Sequence, residues 1–223
     1  MLLGSESSKR LARSSVAIFG LGGVGGGAVE ALARAGVGEF HLIDMDVFTE
    51  SNLNRQLLST RDTIGKAKVD VAKQRILSIN PDAKVYTYPL VFGPESQQPD
   101  FFCFDFVIDA IDSISGKVEI IRRCAEAEIP MISCMGCGNR MDPSQLYVTD
   151  LFKTEYDPLA KIMRKRCRDM GIKHLRVVAS KEMPMPAAQP EEGVHVPGST
   201  PFVPPVAGFL LAKEAVAVLL NND

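Results

Sequence analysis

A glycine-rich turn between a short apolar run and a helical pattern constrains the fold of this chain more than any other feature. The run at residues 15–19, SVAIF, is typical of a fully buried parallel strand. The turn at 20–25, GLGGVG, fits the pattern G-x-G-x-x-G, and helical spacing follows over 24–35. A second apolar run at 40–44 ends in an acid. This strand, helix and strand predict a right-handed crossover within a parallel sheet.

The alternation of strand and helix patterns continues to about residue 135. Helical patterns cover 65–78 and 117–127, and strand patterns cover 84–88, 104–109 and 131–134. Such alternation is typical of an open, doubly wound sheet with helices on both faces. The sequence therefore predicts an α/β fold, Rossmann-like, with a mostly parallel sheet.

The second part of the chain follows a different pattern. Strand propensity at 145–149 and 175–179 flanks a helix that begins at Asp157-Pro158 and ends before Gly171. We expect these elements to form an antiparallel C-terminal extension of the sheet.

The last forty residues contain a proline-rich segment and an apolar segment. Half of the 14 prolines lie within 183–205, which predicts an extended crossover loop without helix. The apolar stretch 206–220 is short for a membrane span and contains Lys213 and Glu214, so it predicts a buried C-terminal helix and no membrane partner.

Composition favours a reducing compartment. The chain has 223 residues, enough to bury about 70% of its unfolded surface without disulfides. Five cysteines, an odd number, and an N-terminus without the features of a secretory signal predict a cytoplasmic location. The formal net charge is −2, so any basic patch must be local.

The glycine turn predicts a phosphate site. Gly20, Gly22, Gly23 and Gly25 let the backbone approach phosphate oxygens, and the following helix offers free N–H groups and a positive dipole end. Asp44, nineteen residues after Gly25, is placed to accept hydrogen bonds from ribose hydroxyls. On these residues alone, NAD and a turn kept only for packing remain open.

A polar segment after the second strand favours ATP over NAD. It contains Asp46, the run SNLNRQ at 51–56 and the run GKAK at 65–68. Arg55 offers a planar fork to phosphate oxygens and Lys68 a point charge, which would activate the α-phosphate and stabilise pyrophosphate as leaving group. Asn52 and Gln56 as loop caps, and Lys68 as a solvated helix charge, are the alternatives.

An acid at the end of the fourth strand predicts a magnesium site. The segment 109–112, DAID, lies at the carboxyl edge of the sheet, where open α/β sheets bind ligands. Asp112 is placed to hold Mg²⁺ against the phosphates, since Mg²⁺ takes only one or two protein carboxylates. A helix N-cap role for Asp112 is the alternative.

These blocks, in this order, resemble the adenylation core of the ThiF/MoeB/HesA group, which is related to ubiquitin-activating enzymes. The resemblance covers about residues 14–135. It implies that Asp44, Asn52, Arg55, Gln56 and Lys68 contact ATP, and that Asp112 binds the metal and is essential for adenylation.

The second half of the chain resembles one subgroup, the tRNA threonylcarbamoyladenosine dehydratase family. The blocks SCMG (133–136), MDPSQL (141–146), DPLA (157–160) and PPVAG (204–208) carry this resemblance. It implies ATP-dependent adenylation of the threonyl carboxylate of a modified tRNA adenosine, internal attack on the adenylate, release of AMP and ring closure. We thus expect one domain over 1–223, with a nucleotide-binding core at 14–135 and an extension at 136–223 for tRNA and dimer contacts.

Internal attack requires no enzyme thiol, because nucleophile and acyl group belong to one substrate and effective molarity reaches roughly 10⁵ M or more. Cys134 and Cys137 form a lone Cys-x-x-Cys pair. Zinc needs about four ligands, and Cys167, His174 and His195 complete no recognisable spacing. Small residues at a tight strand end, or a redox or acceptor role, are the other interpretations.

The helix that begins at Asp157-Pro158 is strongly basic. Its charges predict a tRNA-binding stripe over residues 161–168, because phosphate contacts dominate nucleic-acid affinity. An ordinary solvated helix face is the alternative. The seven cations are Lys161, Arg164, Lys165, Arg166, Arg168, Lys173 and Arg176.

The resemblance also implies a homodimer, in which relatives place an arginine-bearing N-terminal segment at the partner's ATP site. Arg10 and Arg13 do not match that segment, which predicts a truncated chain or weaker activation between subunits. Three rival functions stay open: adenylation of the C-terminal glycine of a ubiquitin-like or sulfur-carrier protein, NAD-dependent oxidoreduction, and non-catalytic nucleotide sensing.

Overall fold

The computed structural model describes residues 2–186 and 198–221, and the structural statements below refer to these residues. Seven strands form one sheet, and helices cover its two faces. The strands are β1 Ser15–Phe19, β2 Glu39–Ile43, β3 Lys84–Tyr88, β4 Phe106–Asp109, β5 Met131–Cys134, β6 Leu146–Asp150 and β7 Arg176–Ser180. The helices are α1 Gly4–Leu11, α2 Gly23–Ala35, α3 Lys68–Ile79, α4 Ile114–Glu126, α5 Pro158–Asp169 and α6 Val203–Asn221.

The sheet has the strand order β3-β2-β1-β4-β5-β7-β6. All neighbouring pairs are parallel except β6 and β7, which are antiparallel. The predicted α/β fold with a mostly parallel sheet and an antiparallel C-terminal extension is therefore confirmed. The order reverses between β1 and β4, and the crevice outside the carboxyl ends of such strands is where open α/β sheets bind ligands.

The register of β1 and β4 places the ends of these two strands side by side at the crevice. Phe19 pairs with Asp109, so Gly20 and Ala110 leave the sheet side by side. The central strands β1 and β4 are buried along their whole length, which explains their unbroken apolar runs. Because the strands are fixed by burial on both faces, the residues that follow them are held on a rigid edge.

Helix α6 is apolar and packs against α2, the helix that follows the glycine turn. By length and composition alone it could cross a membrane, but half of that stretch is buried inside the protein. Val203, Ala207, Leu211 and Ala215 are fully buried, and the last three belong to the main core. The prediction of a buried C-terminal helix is confirmed. By packing against α2, α6 helps to hold that helix in place.

Two predicted boundaries were wrong for physical reasons. Helix α3 begins at Lys68 and not at Gly65, because Gly65 has a φ of +80°, a left-handed conformation outside the helix. Helix α6 begins at Val203, so Pro204 and Pro205 are helical. Prolines are tolerated there because the N–H groups of a first turn have no intrahelical partner. Residues 187–197 of the predicted crossover loop lie outside the described residues.

The helix α1 was not predicted. Its sequence is mostly polar, and only Leu11 is buried. The helix leads directly into β1, and the backbone N–H of Ser15 donates to Asp105 Oδ2 at 2.7 Å. Because Leu11 is the one large apolar residue of α1, the sequence shows no repeated apolar spacing that would predict a helix.

Candidate active site

A cavity of about 810 Å³ opens at the carboxyl edge of the sheet, at the reversal of strand order. One part, which we call the nucleotide lobe, lies at the ends of β1, β2 and β4 and beside residues 52–68. The other part, the distal lobe, is lined by residues 134–140 and 157–159 with Pro184 and Ser199. The predicted site residues that line the cavity are Gly20, Gly22, Gly23, Asp44, Asp46, Asn52, Arg55, Gln56, Lys68 and Asp112.

The glycine turn brings backbone close to the cavity. Gly20 has a φ of +85°, and a Cβ there would lie 2.7 Å from the carbonyl oxygen of Ala110. Gly25 is a predicted site residue that does not line the cavity: a Cβ there would lie 1.8 Å from the Gly20 carbonyl oxygen. Its role is to let α2 pack onto the turn. No side chain caps the start of α2, so its first N–H groups remain available to an anion.

Asp44 ties the glycine turn to the end of β2. Its Oδ2 accepts a hydrogen bond from the Leu21 N–H at 2.7 Å, and its Oδ1 accepts one from the Asp46 N–H at 2.8 Å. An ionised carboxylate has about four lone-pair sites, so two remain for ribose hydroxyls. These bonds fix the carboxylate where the sequence predicts a ribose.

Asn52, Arg55 and Gln56 lie on one short loop beside the turn. Asn52 Oδ1 accepts from the Thr49 N–H at 3.1 Å, so the predicted alternative of a capping role holds for this oxygen. Arg55 donates to the Ser51 carbonyl oxygen at 2.7 Å and to Asn54 Oδ1 at 2.8 Å. Gln56 is 7% exposed, and its Oε1 has no hydrogen-bond partner. A buried, unpaired amide oxygen in a cavity wall is suited to accept a bond from a ligand.

Lys68 is buried at the first position of α3 and is not a solvated helix charge. Its Nζ donates to Asp46 Oδ2 at 2.7 Å. The Asp46 side chain is 62% exposed, so water competes for its charge and the pair is readily exchanged. A phosphate can therefore replace Asp46 as the partner of Lys68.

Asp112 lies in the cavity wall just before α4 and is exposed. The predicted alternative, an N-cap role, is wrong because Ser113 caps α4: its Oγ accepts from the Gly116 N–H at 3.3 Å. Among the described residues no hydrogen bond or ion pair to the Asp112 carboxylate is found. Its charge is free for a cation or a ligand.

Beneath Asp112 lies a buried ion pair that the sequence did not predict. Lys117 and Asp109 are both 0% exposed, and Lys117 Nζ donates to Asp109 Oδ2 at 3.0 Å. Lys117 also donates to the Cys134 carbonyl oxygen at 2.8 Å, and Ser133 Oγ donates to Asp109 Oδ2 at 2.6 Å. Asp109 Oδ1 accepts from the Ile111 N–H at 3.2 Å. The pair thus joins the ends of β4 and β5 and the turn that carries Asp112.

A wall of apolar residues, 90–92, closes the nucleotide lobe beyond β3. Arg123 holds this wall: its guanidinium lies 5.1 Å from the centre of the Phe92 ring and donates to the Ser96 carbonyl oxygen at 2.6 Å. Glu119 in turn accepts from Arg123 Nε at 2.6 Å. This wall has no signature in the sequence, because residues 89–101 follow no regular period.

The distal lobe is organised by a second buried pair. Arg140 is 1% exposed and lies 3.6 Å from Asp157 Oδ2, and it donates to the Tyr156 carbonyl oxygen at 3.3 Å. It also donates to the carbonyl oxygens of Ser180 and Glu182. Asp157 accepts from the Ala160 N–H at 3.0 Å, as its predicted N-cap role requires, and from the Gly136 N–H at 2.9 Å. Sequence reasoning missed Arg140, although neighbouring family blocks at 133–136 and 141–146 marked this region.

Cys134 and Cys137 face each other in the distal lobe, with their Sγ atoms 3.5 Å apart. The hydrogen bond with Cys137 and burial raise the pKa of the Cys134 thiol well above its ordinary value. Within the described residues, no group of three or more His, Cys, Asp and Glu side chains is arranged to hold a metal. His195 lies outside those residues.

The basic helix α5 begins at the cavity, since Pro158 and Leu159 line it. Two of the seven predicted cations bind protein groups: Arg164 donates to the Thr154 carbonyl oxygen, and Arg176, although exposed, lies 3.3 Å from Glu214 Oε2. The remaining cations are exposed: Lys161, Lys165, Arg166, Arg168 and Lys173.

Comparison with known proteins decides the family. The family model described as "ThiF family" matches residues 1–223. The chain belongs to the ThiF family. Within the ThiF family it is 37% identical to a Bacillus subtilis protein named tRNA threonylcarbamoyladenosine dehydratase, over 100% of this chain and 93% of the relative. An Escherichia coli protein of the same name is 40% identical over 77% of this chain and 65% of the relative. The resemblance seen in the sequence is confirmed.

Solved structures of this ThiF-family branch share the fold. Escherichia coli tRNA N6-threonylcarbamoyladenosine dehydratase, in complex with AMP, superposes with a TM-score of 0.91 at 35% identity. The match covers 98% of this chain and 91% of that one. The same enzyme in complex with ATP gives a TM-score of 0.87 at 34% identity, over 98% and 90%. The nucleotides in those crystals agree with the prediction that this fold binds ATP.

Proposed function

We propose that this chain uses ATP to adenylate the carboxylate of a threonylcarbamoyl group on a tRNA adenosine, and that it then closes the group into a ring with loss of water. The observation that carries the proposal is the gathering of Arg55, Lys68 and Asp112 with the glycine turn around one cavity. The names of the relatives, tRNA threonylcarbamoyladenosine dehydratase, supply the substrate.

The nucleotide lobe offers separate groups to each part of ATP. The uncapped start of α2 and the turn at Gly20–Gly23 suit phosphate oxygens, and Asp44 suits the ribose. Arg55 and Lys68 suit the β and γ phosphates. The unpaired Gln56 Oε1 supports a ligand in this wall, because a buried acceptor without a partner costs about 1–3 kcal/mol.

The charge of the cavity wall supports a role for Mg²⁺. Three cations line it (Arg55, Lys68, Arg140) against four carboxylates (Asp44, Asp46, Asp112, Asp157), so the wall alone does not neutralise a triphosphate. Asp112 is the carboxylate of this wall that no described residue binds, and Mg²⁺ needs only one or two protein carboxylates beside phosphate oxygens. Bound there, Mg²⁺ would supply charge neutralisation for the phosphates.

The chemistry needs two displacements. A substrate carboxylate oxygen attacks the α-phosphorus, the bond to the β-phosphate oxygen breaks, and pyrophosphate leaves. An internal nucleophile of the same group then attacks the acyl carbon, and AMP leaves with the former carboxylate oxygen. Arg55 and Lys68 stabilise the negative charge that develops in the first step. The distal lobe orients the acyl group, so the second step proceeds within one bound molecule.

We assign the exposed cations of α5 to the tRNA backbone. The helix starts at the cavity and has 12 residues, so it extends about 18 Å from the site. A nucleotide held in the cavity would thus place neighbouring phosphates along Lys161, Lys165 and Arg168. A tRNA substrate is also consistent with the cytoplasmic location that we propose.

The homodimer remains a proposal as well. Several large apolar side chains are exposed, among them Leu57 (48%), Phe202 (50%) and Phe209 (42%). Burying them in a partner would suit an interface core. Sedimentation equilibrium measures the mass directly, and a monomer at micromolar concentration would overturn this assignment.

The decisive experiment uses tRNA that carries threonylcarbamoyladenosine. The protein is incubated with this tRNA, ATP and Mg²⁺, and the nucleosides are analysed by mass spectrometry. We expect the modified nucleoside to lose one water, about 18 Da, with one AMP formed per ring. If tRNA is unchanged while a small carrier protein stimulates exchange of pyrophosphate into ATP, the substrate assignment is wrong and the carrier function replaces it.

A further inference from the structure

We propose that Cys134 and Cys137 are an oxidisable dithiol in the wall of the active site, and that their disulfide inactivates the distal lobe. The effect on activity rests on the proposed function, whereas formation of the disulfide does not. The pair is not needed for adenylation or ring closure, so it is available for regulation of the same site.

The two thiols are already in contact. Their Sγ atoms are 3.5 Å apart, and both residues line the cavity. Cys134 is buried, while Cys137 is partly exposed to the cavity and can meet a small oxidant. Among the described residues the other cysteines, Cys103, Cys124 and Cys167, are not within hydrogen-bond distance of a second thiol. Oxidation to an internal disulfide is thus specific to this pair.

The two cysteines differ in how firmly they are held. Cys134 ends β5, pairs with Val178 of β7, and its carbonyl oxygen accepts from the buried Lys117. Cys137 lies on the loop that forms the distal lobe. A disulfide requires an S–S distance of about 2.05 Å, so the Sγ atoms must approach by about 1.5 Å. The approach must come mainly from the Cys137 side.

Displacement of Cys137 strains contacts that shape the distal lobe. On one side, the Gly136 N–H donates to Asp157 Oδ2 at 2.9 Å. On the other, Asn139 and Gly198 exchange two hydrogen bonds, of 2.7 and 2.8 Å, which hold the segment before α6. The nucleotide lobe is anchored separately by Asp44 and the glycine turn. We therefore expect the disulfide to disturb acyl orientation more than ATP binding.

The chemistry balances with a peroxide as oxidant. The Cys137 thiol loses its proton, its sulfur attacks one peroxide oxygen, and the O–O bond breaks. The hydroxide that is released takes up this proton and leaves as water, with a sulfenic acid on Cys137. The Cys134 sulfur then attacks the Cys137 sulfur, the S–O bond breaks, and a second water leaves. In total, two thiols and one hydrogen peroxide give one disulfide and two waters. A dithiol reductant converts the disulfide back to the two thiols.

The test compares reduced and peroxide-treated full-length protein. Peptide mapping should show Cys134 and Cys137 in one disulfide, with a mass lower by about 2 Da. Ring closure on modified tRNA should fall roughly 10- to 100-fold, because misplacing a reacting group by about 1 Å costs about that much. ATP affinity, measured by calorimetry, should change less than threefold. Dithiothreitol should restore activity.

Each variant is compared with its own reduced form, so that effects on folding cancel. Cys137→Ser should be insensitive to peroxide, and Cys103→Ser should respond as the parent protein does. Hydrogen exchange of residues 135–140 should change on oxidation in the parent protein and not in Cys137→Ser. This readout separates the two proposals, because it needs no turnover. Free thiols at 134 and 137 after peroxide, zinc bound to the pair, or equal loss of activity in Cys137→Ser would each overturn the inference.

Discussion

The two lobes of the cavity use charge in opposite ways. In the nucleotide lobe, no side chain or backbone group in the described part of the chain binds the Asp112 carboxylate, and Lys68 pairs with an aspartate that is 62% exposed. By contrast, two ion pairs are almost completely buried: Lys117–Asp109, where the two lobes meet at the ends of β4 and β5, and Arg140–Asp157 in the distal lobe. Charges of the first kind are free to meet a ligand, whereas those of the second kind hold loops in place. Substitutions should therefore affect activity in one lobe and stability in the other.

The largest effect is expected for the buried pair Lys117–Asp109, which joins the ends of β4 and β5. Lys117→Met leaves the Asp109 carboxylate buried without a counter-charge, and it should lower the free energy of unfolding by about 3–5 kcal/mol. Urea denaturation at pH 7 measures this. The double variant Asp109→Asn/Lys117→Met removes both charges and should recover most of the loss. No recovery would mean that the pair is not the source of the effect.

Asp112→Asn tests the opposite behaviour. The side chain is exposed and caps nothing, so the free energy of unfolding should change by less than about 0.5 kcal/mol. Turnover should fall about 100- to 1000-fold, because the carboxylate that we propose holds Mg²⁺ against the phosphates is lost. ATP–pyrophosphate exchange measures turnover, and urea denaturation measures the free energy of unfolding. Asp82→Asn, an exposed acid in a turn away from the cavity, is the matched control. A variant that unfolds would contradict the contrast between lobes.

The tRNA surface should show an effect of intermediate size. Lys161→Ala/Lys165→Ala removes two exposed cations of α5 and should weaken tRNA binding by about tenfold. The slope of log affinity against log salt should fall by nearly 2 if both side chains contact phosphates. ATP affinity should not change. Arg61→Ala, an exposed cation on another surface, should leave tRNA binding unaltered, and equal effects in both variants would remove α5 from the interface.

The nucleotide lobe was largely predictable from the sequence, and the distal lobe was not. Turn glycines, the acids at strand ends and the run at 51–56 lie close together in the chain, so their positions follow from the strands that precede them. Arg140 meets Ser180 and Glu182 across forty residues. A buried lysine or arginine has no periodic signature, because the partner that permits its burial comes from a distant segment.

Sequence patterns also gave wrong predictions for residues whose role depends on contacts with distant segments. The seven cations near α5 resemble one stripe in the sequence, yet Arg164 and Arg176 bind protein groups. Asp112 and Ser113 are both good N-cap residues, and only the backbone geometry selects Ser113. The wall at residues 90–92 is held by a cation on α4, Arg123. No pattern within the segment itself therefore predicts the wall.

The smallest effect is expected for the contacts that hold this wall at residues 90–92. Hydrogen bonds from Arg122 and then Arg123 lower the pKa of Glu119 despite its burial. A lowered folded-state pKa means that the stabilisation is present above the unfolded pKa, about 4.3, and is lost as pH falls through the folded value. Glu119→Gln should thus cost about 1 kcal/mol or less at pH 7, with a difference that shrinks below about pH 4. Glu126→Gln, which removes only an exposed partner of Arg122, is the control. A larger loss of ATP affinity in Glu119→Gln than in this control would show that Arg123 supports the nucleotide lobe, whereas equal behaviour would confine the pair to stability.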